Sequence, residues 1–175
     1  MWIAKNNDLI IMAKDTEQEL MDALKFMVYT SVEETEENYI LYDGTYLTES
    51  EALEQAKQAK YTEANLKAFE YLESGEAVFT YEEGKSIEAT DGNIAKLGLA
   101  LVNFILTQDY TSTIEWNTKE NENVQLNAEQ LQVIVAGLQG IQAEVWTVKF
   151  VAYNTQIAEA QTIEEVDSIV IDYRG

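Results

Sequence analysis

Apolar positions along the chain fall into short alternating runs, interrupted by longer stretches with helical spacing. Residues 2–14 read as two short strands around Asn6-Asn7-Asp8, the second being Leu9-Ile10-Ile11-Met12. Thr16 and Glu19 stand at capping-box spacing, and Leu20, Leu24 and Met27 line one face of a predicted helix over 16–27. Tyr39-Ile40-Leu41-Tyr42 and Thr45-Tyr46-Leu47 flank Asp43-Gly44, a pair suited to the positive φ of a type I′ hairpin turn.

Thr48 and Glu51 make a second capping box and open a helix running to Glu73, with Ala52, Ala56, Ala59, Ala64, Phe69 and Leu72 as its apolar set. Ser74-Gly75 ends it. A hairpin follows, 77–81 and 85–89 across Glu82-Glu83-Gly84, and Asp91 is placed to cap a helix carrying Ile94, Leu97, Leu101, Phe104 and Ile105. A third hairpin, 113–116 and 124–126, surrounds the polar stretch 117–123. Asn127 caps the longest element, and Thr162 with Glu165 opens a last short helix before the strand-like Ser168-Ile169-Val170-Ile171.

The long helix carries Leu131, Ile134, Leu138, Ile141, Val145, Val148 and Ala152 at the 3-4 spacing of a heptad seam. A second stripe, Val135, Trp146, Phe150, Tyr153 and Ile157, widens the apolar face. Such a face packs against the 91–106 helix and a sheet of its own chain, or is shared between copies as a homo-oligomer through the long helix. Gly137 and Gly140 each cost about 1 kcal/mol relative to Ala, which implies that something packs closely there. The fold class is α+β: a small N-terminal hairpin and helix unit over 1–47, a connecting helix over 48–74, and an α+β domain over 75–175 containing the long helix 127–158.

Composition narrows the chemistry. The 175 residues include no Cys, His or Pro, so disulfides, thiolate nucleophiles, Cys/His zinc sites and imidazole catalysis are excluded. Thirty-two Asp+Glu against 11 Lys+Arg give a net charge of −21. With Arg174 the single arginine, an electrostatic footprint for nucleic acid is absent, and anionic membrane surfaces are disfavoured. No apolar run approaches the roughly 18 residues of a membrane span, and Met1-Trp2-Ile3-Ala4-Lys5-Asn6 lacks the pattern of a signal peptide, so an untargeted soluble protein is expected. Size scaling predicts about 8,600 Å² of folded surface, hence one net charge per roughly 400 Å². Duplex DNA carries about one per 100 Å². A nucleic-acid mimic would have to concentrate its carboxylates about fourfold on one face.

Glycine-rich phosphate loops and the nucleophile elbow are absent, and paired carboxylates are too abundant for sequence to select a catalytic pair. Asp91-Gly92-Asn93 and Glu120-Asn121-Glu122-Asn123 lack the spacing of a calcium loop and read as a helix start and a hairpin tip. No catalytic residue, cofactor or metal is expected. Partner binding is the remaining chemistry. Its candidates are the acidic run Glu33, Glu34, Glu36 and Glu37, the aromatic set Tyr39, Tyr42 and Tyr46 with Trp2, and the seam residues Leu138, Ile141 and Val145. The aromatics also suit a sugar-binding platform.

Residues 77–169 resemble the phage-borne domain-of-unknown-function family 4376. The carrying residues are Val78-Phe79, Ser86-Ile87-Glu88-Ala89-Thr90-Asp91-Gly92-Asn93, Ile114-Glu115-Trp116, Val124-Gln125-Leu126-Asn127-Ala128-Glu129-Gln130-Leu131, and the closing Ala158-Glu159-Ala160-Gln161-Thr162-Ile163-Glu164-Glu165-Val166. The resemblance implies a non-enzymatic bacteriophage tail or baseplate-associated protein, a structural accessory or a tail-fibre assembly chaperone. A phage tail, baseplate or fibre protein would be its partner, and it would reside in the host cytoplasm during assembly or in the virion tail. The charge suggests the alternative, an acidic phage inhibitor that mimics nucleic acid to occupy a host defence protein.

Overall fold

In the computed structural model, which describes residues 1–174, the chain is α+β and divides into two compact units. The first comprises Met1–Lys60 with Ala160–Ser168; the second comprises Tyr61–Glu159 and the residues from Ile169 onward.

In the first unit, β1 (Trp2–Asn6) is the centre of an antiparallel sheet of order β2-β1-β3, with β2 at Leu9–Lys14 and β3 at Ser31–Glu34. Helix α1 (Glu17–Ala23) places Leu20 and Leu24 on this sheet beside Ala4. It is capped as its sequence predicts, Thr16 Oγ1 accepting from the Glu19 N–H at 3.2 Å. The helix stops four residues before the expected end. Met27 finds no core, and its N–H closes a tight turn on the Leu24 carbonyl at 2.9 Å. Strand β3 has one apolar residue, Val32, too little for a strand signal, and it forms because β1 offers a free edge.

Hairpin β4 (Tyr39–Tyr42) and β5 (Thr45–Thr48) turns through Asp43 and Gly44, with φ of 46° and 79° as a type I′ turn demands. Helix α2 (Glu49–Glu73) begins at the predicted capping box, where Glu51 accepts from the Thr48 N–H at 2.9 Å. Ala52, Ala56, Ala64, Ala68 and Leu72 are its buried positions; Ala59 and Phe69 face solvent.

The second unit holds two hairpins, β6 (Val78–Glu82) with β7 (Lys85–Glu88) and β8 (Ile114–Asn117) with β9 (Asn123–Leu126), around α3 (Asp91–Thr107) and the long helix. Thr90, not Asp91, caps α3, its Oγ1 accepting from the Asn93 N–H at 3.2 Å. The long helix is α4 (Ala128–Ala143), a π-helical turn (Glu144–Lys149) and α5 (Phe150–Glu159). Leu131, Ile134, Leu138 and Val145 are buried as a heptad seam requires. The wide turn then consumes an extra residue, so each later inward position arrives one residue late. Val148 and Ala152 face solvent, whereas Lys149 and Tyr153 are half-buried and Ile157 is buried.

Helix α6 (Ile163–Ser168) follows the Thr162 cap, and Ser168-Ile169-Val170-Ile171 is no strand. Ser168 ends the helix and 169–174 form an extended strap. Its alternation is real, since Ile171 and Tyr173 are buried, but its main-chain groups pair with side chains. Tyr153 Oη donates to the Asp172 carbonyl at 2.7 Å and accepts from the Asp172 N–H at 3.0 Å, while Lys149 Nζ donates to the Tyr173 carbonyl at 3.0 Å. The accessible surface is 10804 Å², larger than size scaling predicts, which dilutes the net charge further, to about one per 500 Å².

Candidate functional site

In the first unit the chain between α1 and β3 is tied down at both ends and open between them. Leu24 is buried at one end, with Asp22 paired to Lys25 at 3.0 Å. At the other, the Thr30 N–H donates to the Lys5 carbonyl at 2.6 Å and its Oγ1 accepts from the Asn7 N–H at 2.9 Å. Between these anchors Phe26-Met27-Val28-Tyr29 face outward, Phe26 99% and Val28 79% exposed. Covering either side chain would gain about 1.5–3 kcal/mol, so the segment is an exposed apolar knob. Nothing in the sequence reading singled it out. Its signal is the apolar run Phe26-Met27-Val28-Tyr29, of which the helix predicted over 16–27 takes in Phe26 and Met27, with Met27 on its apolar face, and leaves Val28 and Tyr29 beyond its end.

The segment leads directly into β3, whose outer edge pairs with no strand. Here the acidic run is only partly neutralised. Glu33 pairs with Lys5, and Glu37 accepts from Tyr39 Oη at 2.8 Å. That bond pushes the Tyr39 phenol up to about 12. Glu34 and Glu36 stand exposed, and charges on an edge strand also block pairing with other chains. An apolar knob beside a carboxylate edge suits a protein surface that offers an apolar pocket rimmed by Lys or Arg.

The aromatic set is divided. Tyr39 and Tyr46 lie on one face of the β4–β5 hairpin, where Tyr46 is registered with Leu41. Tyr42 points to the other face and packs with Leu53 and Ile163 against Ala56, Ala160 and Val166. Trp2 covers Leu20 and Leu24. The three tyrosines therefore form no shared platform. A cleft of about 530 Å³ opens among Ile40, Ser50, Leu53 and Ile163, flanked by Glu49 and Glu164.

The seam residues need correcting as partner candidates. Leu138 and Val145 are buried and Ile141 is half-buried in the second unit's own core, with α4 packed on α3 and β6. Of the two suspected glycines, Gly137 has its close neighbour, the Phe79 ring, whereas a Cβ at Gly140 would meet nothing.

The carboxylates with perturbed titration serve the fold. Hydrogen bonds hold Glu51 low through Thr48, Glu76 through Arg174, Asp109 through Ser112 and Glu120 through the Ser86 N–H. Among the described residues no group of three or more Asp or Glu is arranged to hold a metal ion, and no helix is long and apolar enough to cross a membrane. No protein-family model, no curated protein and no solved structure matches this chain.

Proposed function

We propose that this protein is a non-enzymatic accessory of a bacteriophage tail or baseplate, resident in the virion or acting as a chaperone during tail-fibre assembly. The observation that carries a binding role is the knob Phe26-Met27-Val28-Tyr29, held outward between the Leu24 and Thr30 anchors and continuous with a carboxylate-bearing strand edge. The phage context rests on the resemblance over 77–169. In this reading the knob enters an apolar pocket of a tail, baseplate or fibre protein, and Glu34 and Glu36 meet basic groups at its rim.

Mass spectrometry of purified virions and of fibre-assembly intermediates tests the proposal. Recovery in virions identifies a resident protein, recovery only in intermediates identifies a chaperone, and recovery in neither contradicts both.

A further inference from the structure

Strand β3 is the open edge of the first unit's sheet. The other edge, β2, lies beside β5, whereas among the described residues no strand pairs with the outer side of β3. Register decides which main-chain groups are free there. Thr35 and Met1 exchange both bonds of a ladder pair, the Thr35 N–H donating to the Met1 carbonyl at 2.9 Å and the Met1 ammonium to the Thr35 carbonyl at 3.1 Å. Such pairs alternate along an antiparallel ladder, so Glu33 bonds toward β1 while the N–H and C=O of Val32 and Glu34 point outward.

Side chains alternate as well. Glu33 lies on the face of Lys5, its ion-pair partner. Val32 and Glu34 share the other face: Val32 packs with Trp2 beside Leu20 and Leu24, and Glu34, registered with Trp2, is exposed. The edge thus presents an apolar position followed, two residues on, by an exposed carboxylate.

We infer that this edge takes an extended segment of a partner protein as a fourth strand, antiparallel to β3, with an apolar side chain opposite Val32 and a Lys or Arg opposite Glu34. The inference rests on the partner-binding role proposed for this unit and gives the form of its partner. Two free donors and two free acceptors at alternate residues are met together by another extended main chain, and the side chains opposite them supply specificity. Charge selects whose chain it is. Opposite charges across a ladder stabilise the pairing and like charges oppose it. A second copy would bring its own Glu33 and Glu34 against these, with −21 on each body, so self-pairing is disfavoured and a basic strand is admitted. Phe26-Met27-Val28-Tyr29 lead into the same strand, which lets one partner meet the knob and the edge together.

Amide hydrogen exchange of the full chain, read residue by residue by NMR, tests the inference. The probe is the peptide Thr-Lys-Thr-Lys-Thr-Val-Thr-Val-Thr, blocked at both ends, whose central Lys and Val meet Glu34 and Val32 in the antiparallel register. Without it the Val32 and Glu34 amides should exchange far faster than that of Glu33. With the peptide at about 1 mM, enough to fill a site with a Kd of about 0.1 mM, they should slow about tenfold. Glu34→Gln, which keeps the main-chain donor, should weaken binding about two- to fivefold. Glu34→Pro removes that donor at an outward edge position where proline is tolerated, and should weaken binding about tenfold with circular dichroism unaltered. The same peptide N-methylated at its central Lys and Val keeps its charge, loses the paired donors and should slow neither amide. Absence of binding by the parent peptide, binding that leaves the Val32 and Glu34 amides unprotected, or equal protection by the N-methylated peptide or by its Glu-for-Lys counterpart would overturn the inference. Failure of the tail-protein reading shows separately, in the virion and assembly fractions, and leaves the amide result standing.

Discussion

The Phe79 ring of β6 occupies the space into which any side chain at Gly137 of α4 would project. Glycine there lets hairpin and helix approach, and this contact joins β6 to the longest helix of the second unit. Gly137→Ala must displace the ring from a packed core and is expected to cost about 1–3 kcal/mol. Gly140→Ala, one turn further and in open space, is expected to gain up to about 1 kcal/mol through helix propensity. Urea unfolding of the two variants should therefore move the midpoint in opposite directions.

The start of α4 depends on a reciprocal cap. Asn127 Oδ1 accepts from the Gln130 N–H at 2.9 Å, and Gln130 Oε1 accepts from the Asn127 N–H at 3.1 Å. Asn127→Ala removes the first bond and leaves the Gln130 N–H without its cap, while the second, donated by the backbone of residue 127, is kept, for an expected loss of about 1 kcal/mol. Thermal unfolding followed at 222 nm checks it.

Two carboxylates tie distant parts of the second unit together: Glu76 meets Arg174, and Glu120 receives the Ser86 N–H at 2.9 Å. Both titrate below the ordinary carboxylate range when folded. A lowered folded pKa gives stabilisation that is complete above the unfolded value of about 4.3 and disappears as pH falls through the folded values. The stability difference between wild type and a Glu76→Gln/Glu120→Gln double variant should accordingly be largest at neutral pH and shrink below about pH 4. Denaturant titrations across pH 3–7 measure it.

Tyrosine titration supplies an alkaline counterpart. Burial pushes the Tyr173 phenol, which donates to the Ala64 carbonyl at 3.1 Å, up to about 12, and the Glu37 bond does the same for Tyr39. A raised folded pKa contributes stability that is fully present below the unfolded value of about 10 and is lost as pH rises through the folded one. Absorbance at 295 nm should show three of the ten tyrosines, Tyr39, Tyr81 and Tyr173, ionising late, and Tyr39→Phe should remove one of them together with its Glu37 hydrogen bond, lowering stability at pH 7 only slightly because that bond lies at the surface.

Much of the fold was legible because local chemistry and tertiary packing agree. Capping pairs such as Thr48 with Glu51 and the Asp43-Gly44 turn carry their geometry in adjacent residues. The differences arise where a distant partner decides. Ser31–Glu34 becomes a strand only because β1 offers an edge, and 169–174 keeps strand-like alternation while Tyr153 and Lys149 take the place of a neighbouring strand. The π-helical turn inserts its residue inside an unbroken apolar pattern, so the heptad reading holds to Val145 and fails by one position beyond it. The knob at Phe26 was hidden for a related reason: apolar residues signal burial, and their pattern does not say when they stand exposed on the surface of the chain.

On the proposed phage-tail reading, the partner-binding role is tested most directly by exchanging that knob in a phage that encodes the chain. Phe26→Asp with Val28→Asp alters two highly exposed side chains, so folding stability should change by no more than about 0.5 kcal/mol. Quantitative mass spectrometry of purified virions and fibre-assembly intermediates should then find the wild-type chain in at least one fraction and the double variant in neither. Absence of the wild-type chain from both fractions, or equal recovery of the variant, would contradict the role.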